Sequence, residues 1–431
     1  MAQSQNMEPG TRVKITTTDE EHEGILMPAE KDYYSIKLKT GYNMSIKKQK
    51  VMSIKQIKAA PKEVLKKSRG GKMKGLKTIA VIHTGGTVAS KVDYDTGGVI
   101  ASYTADDFVE MFPGVMKIAN VRTRLIGNLM SEDLLFKHYR LMAKAVIEEQ
   151  RKGAVGVIIG HGTDTLGYTA AALSFMLENI SIPVILIGAQ RSSDRPSSDA
   201  GMNMECAAHF ITRSGFKGVA VCMHEGMDDG SCLILPACKT RKMHTTRRDA
   251  FKAVNDLPIA RVKTDGTFKF LRKDYYKPKS DKLKPLLKME DQVAIIRTYP
   301  NFHPDFFEVL SKKGYKGLVL ESTGLGQAPT NIPENLPNYE ALKAFIKKGG
   351  VVVLTSQCIY GRVHPYVYSN CRRLVDIGVI FGEDMITETA YIKLAWLLGN
   401  FPSKVNEMIT TDLRGEISER TQADHFDVES S

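Results

Sequence analysis

The sequence predicts an α/β protein with a two-domain core of parallel or mixed sheets, preceded by a small β-barrel-like domain. Three observations predict it. Near-continuous apolar runs (TIAVI, AVGVIIG, PVILIG, GVAVCM) recur from residue 78 onward, the form a parallel strand takes when helices cover both its faces. Amphipathic stretches of helical period separate them, among them SEDLLFKHYRLMAKAVIEEQRK and TLGYTAAALSFMLENI. Ahead of all this, residues 10 to 57 alternate apolar and polar with period two between Gly and Pro turn signals, the mark of a small antiparallel sheet.

Taken in order, residues 1–60 form the β domain, with TRVKITT, HEGILMP, YYSIKLKTGYNMSI and KVMSIKQI as its strands. Residues 61–77 (PKEVLKKSRGGKMKG and the two that follow) combine paired glycines with lysines and read as a basic linker. Residues 78–285 make the first α/β domain, whose rhythm is interrupted by a basic stretch containing FKFLRKDYYKPKSDKLKP. The alternation restarts with QVAIIRTY, GLVLEST and GVVVLTSQ and closes on ETAYIKLAWLLG, so residues 290–412 form a second, smaller α/β domain. Residues 413–431 are polar and are expected to be a loosely held tail. A chain of 431 residues is too long for one ordinary core, which agrees with several domains.

The formal net charge of +12 is unevenly spread. Residues 1–77 hold 17 Lys and Arg against 8 Asp and Glu, and residues 261–288 hold 10 against 3. Such segments attract polyanions, a nucleic acid first among them, or are solvated lysine-rich faces; charge alone leaves both readings open. No apolar run is long enough to span a bilayer and MAQSQNMEPG lacks a secretory core, so a cytoplasmic location is expected. The six cysteines have neither CxxC pairing nor matching histidines, which argues for free thiols in a reducing compartment and against zinc.

The chemistry lies in two turns. TIAVI runs into HTGGT, and GVIIG into HGTDT, so two strands end in glycine-rich turns that present threonine. In an open parallel sheet, loops beyond the strands' carboxyl ends converge on a ligand crevice. Glycines such as Gly86 let the backbone approach a ligand, and turn amides can face developing negative charge. A threonine hydroxyl becomes a nucleophile only beside a base, and Asp164 of HGTDT could orient a lysine. Lys242 of KTRKMHTTRRDAF is a candidate, although its basic neighbours equally suggest a surface cluster. The turns could instead be phosphate loops, but neither carries GxGxxG or GxxxxGK[ST].

HTGGTVAS, HGTDT, GAQRSSDRPSSDAGMN and RKMHTTRRDAF, in that order between residues 80 and 251, resemble the successive signatures of the L-asparaginase family. The resemblance implies an asparaginase-like fold and hydrolysis of carboxamides through an activated threonine. It makes Thr87 the primary nucleophile, places Tyr94 in the family's mobile lid as an activating tyrosine, and assigns Thr163, Asp164 and Lys242 to a second catalytic set. Thr87 would attack the amide carbon, ammonia would leave, and water assisted by the second set would hydrolyse the acyl-enzyme. Where the family places a substrate-binding serine, LIGNLMSED offers Ile126, Gly127 and Asn128; Asn128 is the substrate-binding candidate there, and Gln190 of GAQRSSD is a candidate at the pocket edge.

Ordinary asparaginases resemble only residues 78 to 410. The EGILMP and KLKTGYNMSI stretches, RSSDRPSSDA, TSQCIYGRVHPYVYSNCRRL and GVIFGEDMITETAYIKLAWLLG are similar to one branch of the family, the D subunits of archaeal glutamyl-tRNA(Gln) amidotransferases. That resemblance implies ammonia release from glutamine or asparagine, and its delivery to a partner, the E subunit of the amidotransferase, which amidates glutamyl-tRNA(Gln) with ATP and magnesium. No cofactor or metal is expected in this chain, and a homodimer within an α2β2 complex is implied. A free-standing asparaginase or glutaminase, and a catalytically silent nucleotide- or RNA-binding module, are the alternatives.

Overall fold

The structure is a computed structural model that describes residues 7, 11–27, 29, 32–38, 43–58, 73–84, 90–92, 99–101, 112–127, 129–191 and 198–426. The amino-terminal segment forms a five-stranded antiparallel sheet, in spatial order Asn43–Lys47, Tyr33–Leu38, Glu21–Met27, Arg12–Thr17 and Val51–Lys58. Period-two alternation sends Val13, Ile15, Leu26, Ile36 and Ile46 to one side, where they form a small core of their own. Among the described residues its outer strands pair with no further strand, so the barrel-like expectation resolves as an open five-stranded sheet.

An eight-stranded sheet carries the first α/β unit. Five strands are parallel, ordered Gly218–His224, Pro183–Ile187, Val157–Gly160, Thr78–His83 and Asn120–Leu125. The other three, Ser231–Pro236, Ala260–Lys263 and Phe268–Phe270, continue it antiparallel. This antiparallel extension explains why the βα rhythm stops at the basic stretch. The second unit is a four-stranded parallel sheet, Val293–Arg297, Gly317–Ser322, Val351–Ser356 and Ile380–Phe381.

The two α/β units share one core. Helix Thr387–Asn400 of the second packs on helix Leu166–Met176 of the first, stacking Trp396 on Phe175 with ring centroids 5.3 Å apart. The Trp396 indole N–H donates to the Leu286 carbonyl at 3.0 Å, satisfying its polar edge inside the core. A buried ion pair, Lys239 Nζ to Asp384 Oδ2 at 2.6 Å, joins the same two units.

Two expectations change. The last residues of the linker are held: Asn120 Oδ1 accepts from the Met73 amide at 2.8 Å, and its Nδ2 donates to the Met73 and Leu76 carbonyls. Residues 59–72 lie outside the described residues. The described part of the tail, residues 413–426, is anchored through Glu416 and Ser418, contrary to the expectation of a loose polar segment; residues 427–431 lie outside the described residues. Glu416 is fully buried and pairs with equally buried Lys393 at 2.6 Å, and the Ser418 amide donates to Asp384 at 2.9 Å. Burial opposes ionisation of Glu416, yet Lys393 and backbone amides outweigh it and hold the carboxyl below its usual range. A polar sequence is no guide to exposure when its charges have buried partners waiting.

Candidate active site

Strands Thr78–His83 and Val157–Gly160 are parallel neighbours with His83 opposite Gly160, so both glycine turns leave one sheet edge side by side. Thr84 is buried, and its amide donates to the Gly160 carbonyl at 3.2 Å. The amides of Ile126 and Leu129 donate to the His83 and Thr84 carbonyls at 2.9 and 2.8 Å, which ties the LIGNLMSED segment to the first turn. Thr87, Gly86, Tyr94 and Asn128 lie outside the described residues.

The second set converges. Lys242 Nζ donates to Thr163 Oγ1 at 2.9 Å and meets Asp164 Oδ1 at 2.8 Å. Lys242 ends the short strand Thr240–Lys242, which pairs antiparallel with Phe251–Ala253. That hairpin reaches Thr163 because Gly167, at the start of helix Leu166–Met176, lets the backbone close in: a Cβ there would lie 2.7 Å from the Thr240 carbonyl oxygen. The surface-cluster alternative separates along the segment, since Arg241 pairs with Glu388, Arg247 with Asp249 and Arg248 with Asp229. Lys242 faces the threonine instead.

Thr163 itself is 5% exposed, while the Asp164 side chain is 64% exposed. Because Thr163 Oγ1 accepts from Lys242, its own O–H is free to donate to a ligand or water, and loss of that proton would leave the oxygen beside an ammonium. The arrangement therefore suits proton movement at a hydroxyl.

His161, two residues before Thr163, has a different task. Its Nδ1–H donates to the Gly162 carbonyl at 2.6 Å, and its Nε2 accepts from Thr169 Oγ1 at 2.7 Å. Burial lowers its pKa to about 4, so the ring is neutral and braces the turn from behind. Sequence reasoning missed this brace, and also missed Gly188, where a Cβ would lie 2.8 Å from Thr163 Cγ2. The signal was available: a glycine directly after an apolar strand marks a close approach. Gln190 follows two residues later, and its Nε2 is buried with no hydrogen-bond partner among the described residues.

This architecture is that of the L-asparaginases. The L-asparaginase from Thermococcus kodakarensis superposes with a TM-score of 0.70 at 30% identity, covering 79% of this chain and 99% of that one. L-asparaginase I from Vibrio cholerae gives 0.68 at 27% identity, covering 80% and 100%. The family description "Asparaginase, N-terminal" matches residues 78–276, "Glutaminase/Asparaginase C-terminal domain" residues 292–408, and "GatD N-terminal domain" residues 7–57. Full-length relatives are narrower: the D subunit of the glutamyl-tRNA(Gln) amidotransferase from Pyrococcus furiosus is 43% identical over 97% of both chains. The corresponding D subunit from Methanothermobacter thermautotrophicus is 40% identical over 98% of this chain and 97% of its own. The chain belongs to the family of glutamyl-tRNA(Gln) amidotransferase D subunits.

Proposed function

We propose that the chain is the amide-hydrolysing component of a tRNA-dependent amidotransferase, releasing ammonia from glutamine or asparagine for a partner that amidates glutamyl-tRNA(Gln). The observation that carries the reading is Lys242 Nζ lying within 2.9 Å of both Thr163 Oγ1 and Asp164 Oδ1 on an asparaginase fold. In this reading Thr87 is the nucleophile and the acyl-enzyme forms on it, with Tyr94 assisting from the lid. Lys242 and Thr163 then hand a proton to or from the water that releases the acid, while Asp164 holds Lys242 in place. Gly86, Asn128 and Gln190 border the bound amide donor.

ATP and magnesium belong to the partner, the family's E subunit, and tRNA(Gln) binds in the complex the two subunits form. The exposure of Asp164 in the lone chain supports a second protomer closing the site, hence a homodimer within an α2β2 complex. We place the complex in the cytoplasm; among the described residues no helix is long and apolar enough to cross a membrane.

The test is glutaminase turnover by the chain alone and then with the E subunit and glutamyl-tRNA(Gln). Strong stimulation is expected, whereas high turnover independent of the partner would identify a free-standing hydrolase instead. In the complex, Thr87→Val should abolish amide hydrolysis and leave amidation from ammonium salts intact; full glutaminase activity in that variant would remove Thr87 as nucleophile.

A further inference from the structure

We infer that Asp199, backed by Asn203 and His224, is a positioning unit that holds the turn Gly188–Arg191 against Thr163 and thereby presents Gln190 to the amide donor. The inference deepens the proposed function and rests on it.

Asp199 is completely buried. Both its oxygens face backbone: the Gln190 amide lies 3.0 Å from each, and the Arg191 amide 3.1 Å from Oδ1. A carboxylate offers only acceptors, so it can gather two successive N–H groups, and a tight turn results. Asn203 secures the other side of the turn. Its Nδ2 donates to the Gly188 carbonyl at 3.0 Å and approaches Asp199 Oδ2 at 3.4 Å. Its Oδ1 accepts from His224 Nδ1 at 2.7 Å, and that donor fixes which way the amide faces. Hydrogen bonds thus run from strand Gly218–His224 through helix Ala200–Arg213 to the backbone beside Thr163.

The turn has two contacts with chemistry. Gly188 is the residue where a Cβ would lie 2.8 Å from Thr163 Cγ2, so the turn forms a wall behind that threonine. Gln190 carries a buried donor, Nε2, that nothing among the described residues satisfies. Buried donors are nearly always paired, and the missing acceptor beside an amide-hydrolysing site is an oxygen of the bound substrate, carboxamide or carboxylate. Asp199 touches no substrate. It acts through the backbone of Gln190.

The experiment is a double-mutant cycle on glutamine hydrolysis by the full chain in complex with its partner. Gln190→Leu should raise KM about tenfold, the loss of one hydrogen bond. Asp199→Asn, whose amide would turn an N–H toward the Gln190 N–H, should cost kcat/KM a similar factor of about tenfold, the loss of the same Gln190 contact. If Asp199 works through Gln190, the double variant will be no worse than the weaker of the two single variants. Multiplying losses, or an Asp199→Asn enzyme within twofold of wild type, would overturn the inference. Should Asp199→Asn fail to fold, Asn203→Ala enters the same cycle with the same expectation. A wild-type complex that hydrolyses neither glutamine nor asparagine would refute the proposed function itself, an outcome seen before any variant is read.

Discussion

Gly188 stands against Thr163 so closely that a methyl group has no room between them: a Cβ on Gly188 would lie 2.8 Å from Thr163 Cγ2 and 3.2 Å from Leu166 Cδ1. Gly188→Ala should therefore keep the fold, because the clash meets side-chain tips, while pushing Thr163 away from Lys242. A displacement near 1 Å at a reacting group is worth about 100-fold in rate. Steady-state glutamine hydrolysis with a matching far-ultraviolet spectrum checks it, and unchanged kcat/KM would show that Thr163 tolerates the shift.

Lys242→Met should reduce amide hydrolysis about 10²- to 10⁴-fold, the range of a general acid-base group. Stability should barely move, because the ion pair with Asp164 is screened by that residue's 64% exposure. Kinetics and a melting curve on the same sample separate the two effects. A large fall in melting temperature would instead mean that Lys242 is structural.

Lys393→Met removes one half of a pair in which both side chains are fully buried, leaving Glu416 without its counter-charge and with the Leu413 and Arg414 backbone amides as partners. The expected loss is roughly 3–5 kcal/mol of stability, far above that of a surface pair. Denaturant unfolding measures it. Near-neutral behaviour would show that the segment after Asp412 can detach without affecting the core.

Asp412 makes stability depend on pH. Burial first, and then the neighbouring Glu416, raise its pKa from 3.8 to about 6. Below 3.8 the group is protonated whether the chain is folded or not, so it has no effect there. Between 3.8 and 6 the folded state holds the proton that the unfolded chain releases, and stability falls as pH rises; above about 6 the penalty is complete. Asp412→Asn should thus match wild type near pH 3.5 and exceed it in melting temperature by a gap that opens through this window and then stays level. A gap that closes as pH rises would reverse the assignment.

Much of this was legible in the amino-acid sequence because it depends on local period. Apolar runs such as TIAVI and GVIIG announced parallel strands, and the glycines after them announced turns on one edge, since a strand covered on both faces must be apolar throughout and a close backbone approach excludes side chains. The order of four motifs identified Thr163, Asp164 and Lys242, and they do meet. Apart from that motif order, the local charge pattern did not tell Lys242 from its basic neighbours, because which cation faces a threonine depends on a hairpin fitting over Gly167. Nor could sequence alone show that His161 braces, that Asp199 gathers the Gln190 turn, or that Glu416 lies in the core. Each depends on partners remote in the chain, and the energy of a buried polar group is set by those partners rather than by its sequence neighbours.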